Sequence, residues 1–189
     1  FSLALRADGA VVAWGGGSPV TLLPAAATGL VAIAAGGSHA LGLRADGTVW
    51  AWGYGGSGQL GLGNTSTRAV PTQIPTLANV VQVVARGSFS MALKADGTVW
   101  AWGNNEFAQL GDGTFGFRTA PVQATGLSGI TAVAAGYSHS MALRNDGRVL
   151  TWGANTDGQL GDPAVTVRTT GDVLASLTGI IAIAAGGSH

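Results

Sequence analysis

Apolar positions in this chain come in short alternating runs, each closed by glycine or polar turn residues, and no segment holds a helical period. The clearest set is VVQVVA at 80–85, FSMALKA at 89–95 and TVWAWG at 98–103, followed by a last strand near PTQI or PVQA. This predicts an all-β unit of four short strands. The unit recurs: Trp52, Trp102 and Trp152 lie 50 residues apart, as do Asp46, Asp96 and Asp146, and the same step links His39, Phe89, His139 and His189. A period of this length marks one supersecondary unit whose copies depend on their neighbours to bury their faces. Four copies fit, at about 1–38, 39–88, 89–138 and 139–189, and the first is short because Trp14 precedes Trp52 by only 38 residues.

Asp-Gly at 8–9, 46–47, 96–97 and 146–147 is the signal of a two-residue type I′ hairpin. That turn would set Leu93 opposite Trp100 and Met91 opposite Trp102 on one face, with Ala92 and Ala101 on the other. Each sheet would then have a bulky face and a small face, and successive sheets would stack bulky on small, as the blades of a β-propeller do. The innermost strands are expected to be VAIAA, VVQVVA, TAVAA and IAIAA, whose alanines let strands crowd a narrow axis. Residues 1–189 are thus expected to be a single β-propeller segment, with its tryptophans in the core.

The string AAGGSH, a strand, DG, VWAWG and then GQLG closely resembles the regulator of chromosome condensation repeat family. The likeness spans the whole chain and is most specific in SGQLGLGNTSTR, AQLGDGTFGFR and GQLGDPAVTVR, where Gln59, Gln109 and Gln159 precede Leu60, Leu110 and Leu160. The resemblance implies a place in a seven-bladed propeller. Two departures stand out: the first copy runs from Gly15-Gly16-Gly17-Ser18 into its last strand without a GQLG loop, and Arg86 replaces the glycine found at 36, 136 and 186. The short first copy resembles propeller-type β-lactamase inhibitor proteins. Other relatives include a guanine nucleotide exchange factor and a plant photoreceptor. Four copies are fewer than seven. Either the chain is a fragment, the favoured expectation, or residues 181–186 pair with residues 2–6 of another copy in a homodimer.

Composition narrows the function. Nine basic and nine acidic residues give no net charge, and no Lys/Arg run offers a footprint for nucleic acid or an anionic membrane. The Ala, Gly and Arg bias suits a bacterial source. No apolar stretch is long enough to span a bilayer, and FSLALRADG at the start reads as a strand rather than a signal peptide. The absence of cysteine excludes thiol catalysis and fits either a cytoplasmic or a secreted setting.

Candidate chemistry is sparse. Gly53-x-Gly55-x-x-Gly58 has the dinucleotide spacing, but no helix follows it. Ser138, His139 and Asp146 are repeat features, whereas a catalytic triad belongs in one asymmetric place. The histidines stand one per copy with Phe89 interrupting the series, which favours turn-stabilising hydrogen bonds over metal ligation. Neither a catalytic residue nor a cofactor is expected. Arg68, Arg118 and Arg168 are in step, with Asp112 and Asp162 in the preceding loops as their expected partners. Asn64-Thr65-Ser66 is a glycosylation sequon whose use depends on secretion.

Following the chain up and down each blade puts the Asp-Gly turns on one rim, and the GGSH turns and GQLG loops on the other. All the Phe and Tyr residues fall on this second rim. With the core served by Trp, Leu and Met, these aromatics point to a recognition surface for a protein partner. The expected contact residues are Tyr54, Phe89, Phe107, Phe115, Phe117 and Tyr137, with Arg68 and Arg118. The resemblance leaves two further possibilities open: a proteinaceous enzyme inhibitor covering an active site, and a guanine nucleotide exchange factor.

Overall fold

The computed structural model describes residues 1–15, 18–22 and 28–189. Among them are fifteen strands in four antiparallel sheets, each hydrogen-bonded in sequence order. The first sheet has three strands, β1 (Ser2–Leu5), β2 (Val11–Gly15) and β3 (Ser18–Leu22). The second comprises β4 (Leu30–Ala35), β5 (His39–Arg44), β6 (Val49–Gly53) and β7 (Arg68–Gln73). The third comprises β8 (Val80–Arg86), β9 (Phe89–Lys94), β10 (Val99–Gly103) and β11 (Arg118–Gln123). The fourth comprises β12 (Ile130–Ala135), β13 (His139–Arg144), β14 (Val149–Ala154) and β15 (Val167–Val173). Gly16 and Gly17, part of the expected short joint of the first copy, lie outside the described residues. Residues 180–189 repeat the inner-strand sequence but join no sheet, and Ile181 is fully exposed.

The hairpins correct the expected turn. Lys94 N donates to Thr98 O at 2.9 Å, Gly97 N donates to Lys94 O at 2.9 Å, and Gly97 has φ +78° while Asp96 keeps a negative φ. This is a type I turn over 94–97 with a glycine bulge, one residue longer than the I′ loop. Asp96 Oδ1 fastens it by accepting from Thr98 N and Thr98 Oγ1. The same bonds close the hairpins at Arg6–Ala10, Arg44–Thr48 and Arg144–Arg148.

The longer loop shifts the register by one. Leu93 faces Val99, Ala92 faces Trp100, Met91 faces Ala101 and Ser90 faces Trp102, so the expected Leu93/Trp100 and Met91/Trp102 pairs do not form. Each blade therefore has an aliphatic face and a face of tryptophans with small residues, not a bulky face and a small one. Stacking follows at once. Trp152 of the fourth sheet packs among Phe89, Met91, Leu93, Val99 and Ala101 of the third. Trp102 packs among Leu41, Leu43, Val49 and Ala51 of the second, and Trp52 against Val11 of the first. Trp52, Trp102 and Trp152 are buried as expected and Trp50 and Trp100 only partly, while Trp14 departs furthest, at 38 % exposed, because its face has no preceding sheet among the described residues.

As expected, β4, β8 and β12 line the inner edge and touch their neighbours. Gln82 adds a joint there: its Nε2 donates to Val133 O and its Oε1 accepts from Val133 N, both at 3.0 Å. The side-chain amide thus pairs with the next inner strand as a peptide group would.

A candidate protein-interaction rim

The long loops 54–67, 104–117 and 155–166 rise beside the turns between the first two strands of each full sheet. Tyr54 N donates to Ser38 O, Asn104 N to Ser88 O and Ala154 N to Ser138 O, at 2.8 to 2.9 Å. The Asp-Gly hairpins lie at the opposite end with the connections between blades, where Val80 N donates to Gly47 O. An open groove on that end is lined by Asp46, Asn79, Val80, Val81 and Asp96. Hydrogen bonds from Thr48 and Thr98 hold these two carboxyls below their ordinary pKa.

The GQLG signature turns out to be a joint between blades. Gln59 O accepts from Trp102 Nε1 at 2.8 Å and Ser90 Oγ at 2.9 Å, both in the next sheet. Gln109 O does the same for Trp152 and Ser140. The Gln59, Gln109 and Gln159 side chains accept from the backbone two residues earlier, fixing each loop's own turn. Gly61 is required, since a Cβ there would sit 2.8 Å from Trp102 Nε1 and the residue has φ +70°.

Five of the expected aromatics are on the rim surface: Tyr54, Phe107, Phe115, Phe117 and Tyr137 are 45–57 % exposed. Phe89 is not among them. It is 1 % exposed in the core between the third and fourth sheets, because the first residue of β9 falls on the aliphatic face. Arg118 is engaged within its own loop. Its Nε donates to Asp112 Oδ2 at 2.8 Å and its Nη2 to Thr114 Oγ1 at 2.9 Å, so its charge is met within its own loop. Burial pushes the Asp112 carboxyl up, but bonds from Thr114 and Arg118 outweigh it and leave the pKa lowered. Arg168 pairs with Asp162 in the same way. Arg68 differs, because Leu62 stands where Asp112 and Asp162 do; its guanidinium meets Thr67 O and no carboxylate among the described residues.

Of the histidines, His39 bonds to the next blade rather than within its turn. Ser90 Oγ gives its proton to Gln59 O, so the 2.8 Å contact between His39 Nε2 and Ser90 Oγ makes His39 the donor and leaves Nδ1 unprotonated. Burial lowers the His39 pKa to about 4, so the ring is neutral near pH 7. His139 is equally buried, and its two ring nitrogens have no partner among the described residues. Ser138, His139 and Asp146 do not come together: Asp146 is in a hairpin on the far rim, bonded to Arg144 at 2.7 and 2.9 Å. The Gly53, Gly55 and Gly58 spacing leads into a loop against β11, not a helix.

One change in the inner turns was visible in sequence without its cause. At 36, 136 and 186 a Cβ would lie 2.1 to 2.2 Å from the ring of the histidine three residues on. At the remaining turn the residue in step with those histidines is Phe89, buried as His39 and His139 are, and residue 86 is arginine. The Arg86 guanidinium lies over the Tyr137 ring, 4.8 Å from its centre.

The model of the regulator of chromosome condensation (RCC1) repeat matches residues 46–93, 96–143 and 146–189, and a second model of that repeat matches 30–59, 80–109 and 130–159. No curated protein matches significantly. Among solved structures, human WBSCR16 is 30% identical over 77% of this chain and 38% of its own, with a TM-score of 0.70. Yeast RCC1 (Prp20) in complex with Kap60 is 24% identical over 98% of this chain and 50% of its own, with a TM-score of 0.79. Prp20p from Saccharomyces cerevisiae in a second structure is 23% identical over 98% and 52%, with a TM-score of 0.77. The chain spans about half or less of the length of these relatives. With its stacked four-stranded sheets, GQLG joints between blades and repeat matches over most of its length, the chain belongs to the regulator of chromosome condensation repeat family of β-propellers.

Proposed function

We propose that this propeller segment is a non-catalytic protein-interaction module that recognises its partner through the loop rim. The observation that carries this is the gathering of Tyr54, Phe107, Phe115, Phe117 and Tyr137, each about half exposed, on one end of a rigid stack. Aromatic side chains offer large contact area at low entropic cost, and anchors of this kind dominate protein interfaces. Arg68, unmatched by a carboxylate among the described residues, adds a polar contact to the set. The yeast neighbours lend support from outside, since Kap60, Gsp1p and histones, named with those structures, are all proteins.

A test uses a random peptide library panned against the whole chain, with each selected binder then measured on two double variants. Binders are expected to lose at least tenfold in affinity on F107A/F117A and little on V81A/D96A, whose changes lie on the opposite end. Equal sensitivity to both variants would refute a dedicated rim. So would a fall in thermal midpoint of more than about 5 °C for F107A/F117A, which would assign those rings to the core.

A further inference from the structure

We infer that the Arg86–Tyr137 pair is an anion-reading anchor within this rim, and that the partner it fits is an acidic protein segment. The inference rests on the proposed rim and names the chemistry of what the rim takes. Three linked departures from the repeat build the pair. Residue 89 is Phe rather than His, residue 86 is Arg rather than Gly, and residue 137 is Tyr where 37, 87 and 187 are Gly. The other copies close their inner turns with glycine at the positions of Arg86 and Tyr137, while here β8 runs one residue further, pairing Arg86 with Phe89 around Gly87 at φ +49°.

The geometry holds the pair still. Tyr137 N donates to Gly187 O at 2.8 Å, and the ring lies so close over Gly187 that a Cβ there would be 2.8 Å from it. Arg86 covers the ring from the other turn, 4.8 Å from its centre, while Tyr137 stays 57 % exposed. Arg86 Nε is shielded from solvent and has no hydrogen-bond partner among the described residues, and no described carboxylate lies within ion-pair distance of this guanidinium. Contrast Arg6, Arg118, Arg144, Arg148 and Arg168, each paired with an Asp. A planar fork fixed against an aromatic face, with its charge unmet, is pre-organised for bidentate pairing with a carboxylate. The surface continues outward, since Gly37 N donates to Gly87 O and Tyr54 N to Ser38 O, tying the exposed Tyr54 to the same ring of turns.

An acidic protein segment is favoured over nucleic acid by charge complementarity. The chain has no net charge and no basic stripe, so it lacks the repeated phosphate contacts that nucleic-acid affinity needs, whereas isolated arginines beside aromatics suit single carboxylates.

The test titrates the full chain, labelled with nitrogen-15, at low salt with a ten-residue Glu/Asp peptide, its Gln/Asn counterpart and a ten-nucleotide single strand. The Arg86 Nε–H signal is expected to shift saturably with the acidic peptide alone, while those of Arg118 and Arg168 stay in place. R86G and Y137G restore residues that other copies carry at these positions, so both should fold; they are expected to weaken the acidic peptide at least tenfold and about fivefold. R86K, which keeps the charge and loses the fork, should resemble R86G. The inference is overturned by no shift, by equal shifts at all arginines, by equal binding of the uncharged peptide, or by preference for the oligonucleotide. Panning separates the two levels: if its binders still need Phe107 and Phe117 after the acidic peptide fails, only the acidic preference is lost.

Discussion

Truncating Trp102 measures how strongly one blade is held to the next. The ring is completely buried between the second and third sheets, and Nε1 donates to Gln59 O at 2.8 Å. A tryptophan buries roughly 200 Å², which at about 25 cal/mol per Å² gives about 5 kcal/mol as an upper value. Cavity-forming aromatic truncations cost about 3–5 kcal/mol, so W102A should lose about 4 kcal/mol. W102F keeps most of the apolar area and gives up one hydrogen bond. Gln59 O keeps Ser90 Oγ as a donor, so no buried carbonyl is orphaned and the loss should be about 1–2 kcal/mol. Trp14 occupies the same repeat position but is 38 % exposed, and W14A should cost about 1 kcal/mol. Urea unfolding followed by far-ultraviolet circular dichroism gives all three without relying on the fluorophore being removed. If W14A costs as much as W102A, stacking on the preceding sheet is not what the tryptophan contributes.

Two further predictions follow from buried or constrained groups. His39, lowered by burial from near 6.5 to about 4, binds a proton more readily unfolded than folded. Its contribution is therefore full above about pH 6.5 and is lost as pH falls toward about 4, by about 3 kcal/mol in all; urea midpoints across that window should fall, and fall less steeply in H39Q. His139, lowered by burial and then by the charge of His189, acts in the same direction. In the hairpin, G97A should cost about 1–2 kcal/mol because Gly97 has φ +78°, whereas G97N should cost less; equal thermal midpoints for wild type and G97A would rule out the left-handed bulge.

What was legible in the sequence was whatever the repeat multiplies. Fold class, strand order, the assignment of turns to the two rims and the pairing of Arg118 and Arg168 with Asp112 and Asp162 all follow from period and turn chemistry. The register was not legible, because Asp-Gly serves both the I′ turn and the longer bulged loop, and flanking Ala95 and Thr98 do not discriminate between them. That one residue moved the side chains of β10 to the other face relative to those of β9 and changed which residues meet Trp102. Phe89 was misplaced for a related reason: its position in step with His39 gave its address along the chain but not its direction. The role of Gln59 and Gln109 was hidden because their backbone carbonyls, which no side-chain pattern reports, make the contacts between blades. Gln82 left no signal, standing where the other copies have alanine.

The division between repeated and unrepeated positions bears directly on where specificity resides. Gln59, Gln109 and Gln159 are alike because each closes its loop, and Gly61 and Gly111 because a tryptophan of the next blade fills the space a side chain would take. A feature present in every blade cannot by itself orient a partner around the axis, since each blade would offer it equally. The exposed aromatics stand at positions of the opposite kind. Tyr54 corresponds to Asn104 and Ala154, Phe107 to Ser57 and Asp157, Phe115 to Thr65 and Val165, Phe117 to Thr67 and Val167, and Tyr137 to Gly37, Gly87 and Gly187. The loops at these sites accept small, polar or branched residues in other copies, so packing does not call for an aromatic there. Each exposes apolar area that water penalises, and under the proposed function such exposure collected on one rim serves a contact made outside the chain. The repeated residues thus bear the stability of the stack, and the unrepeated ones give its rim a direction.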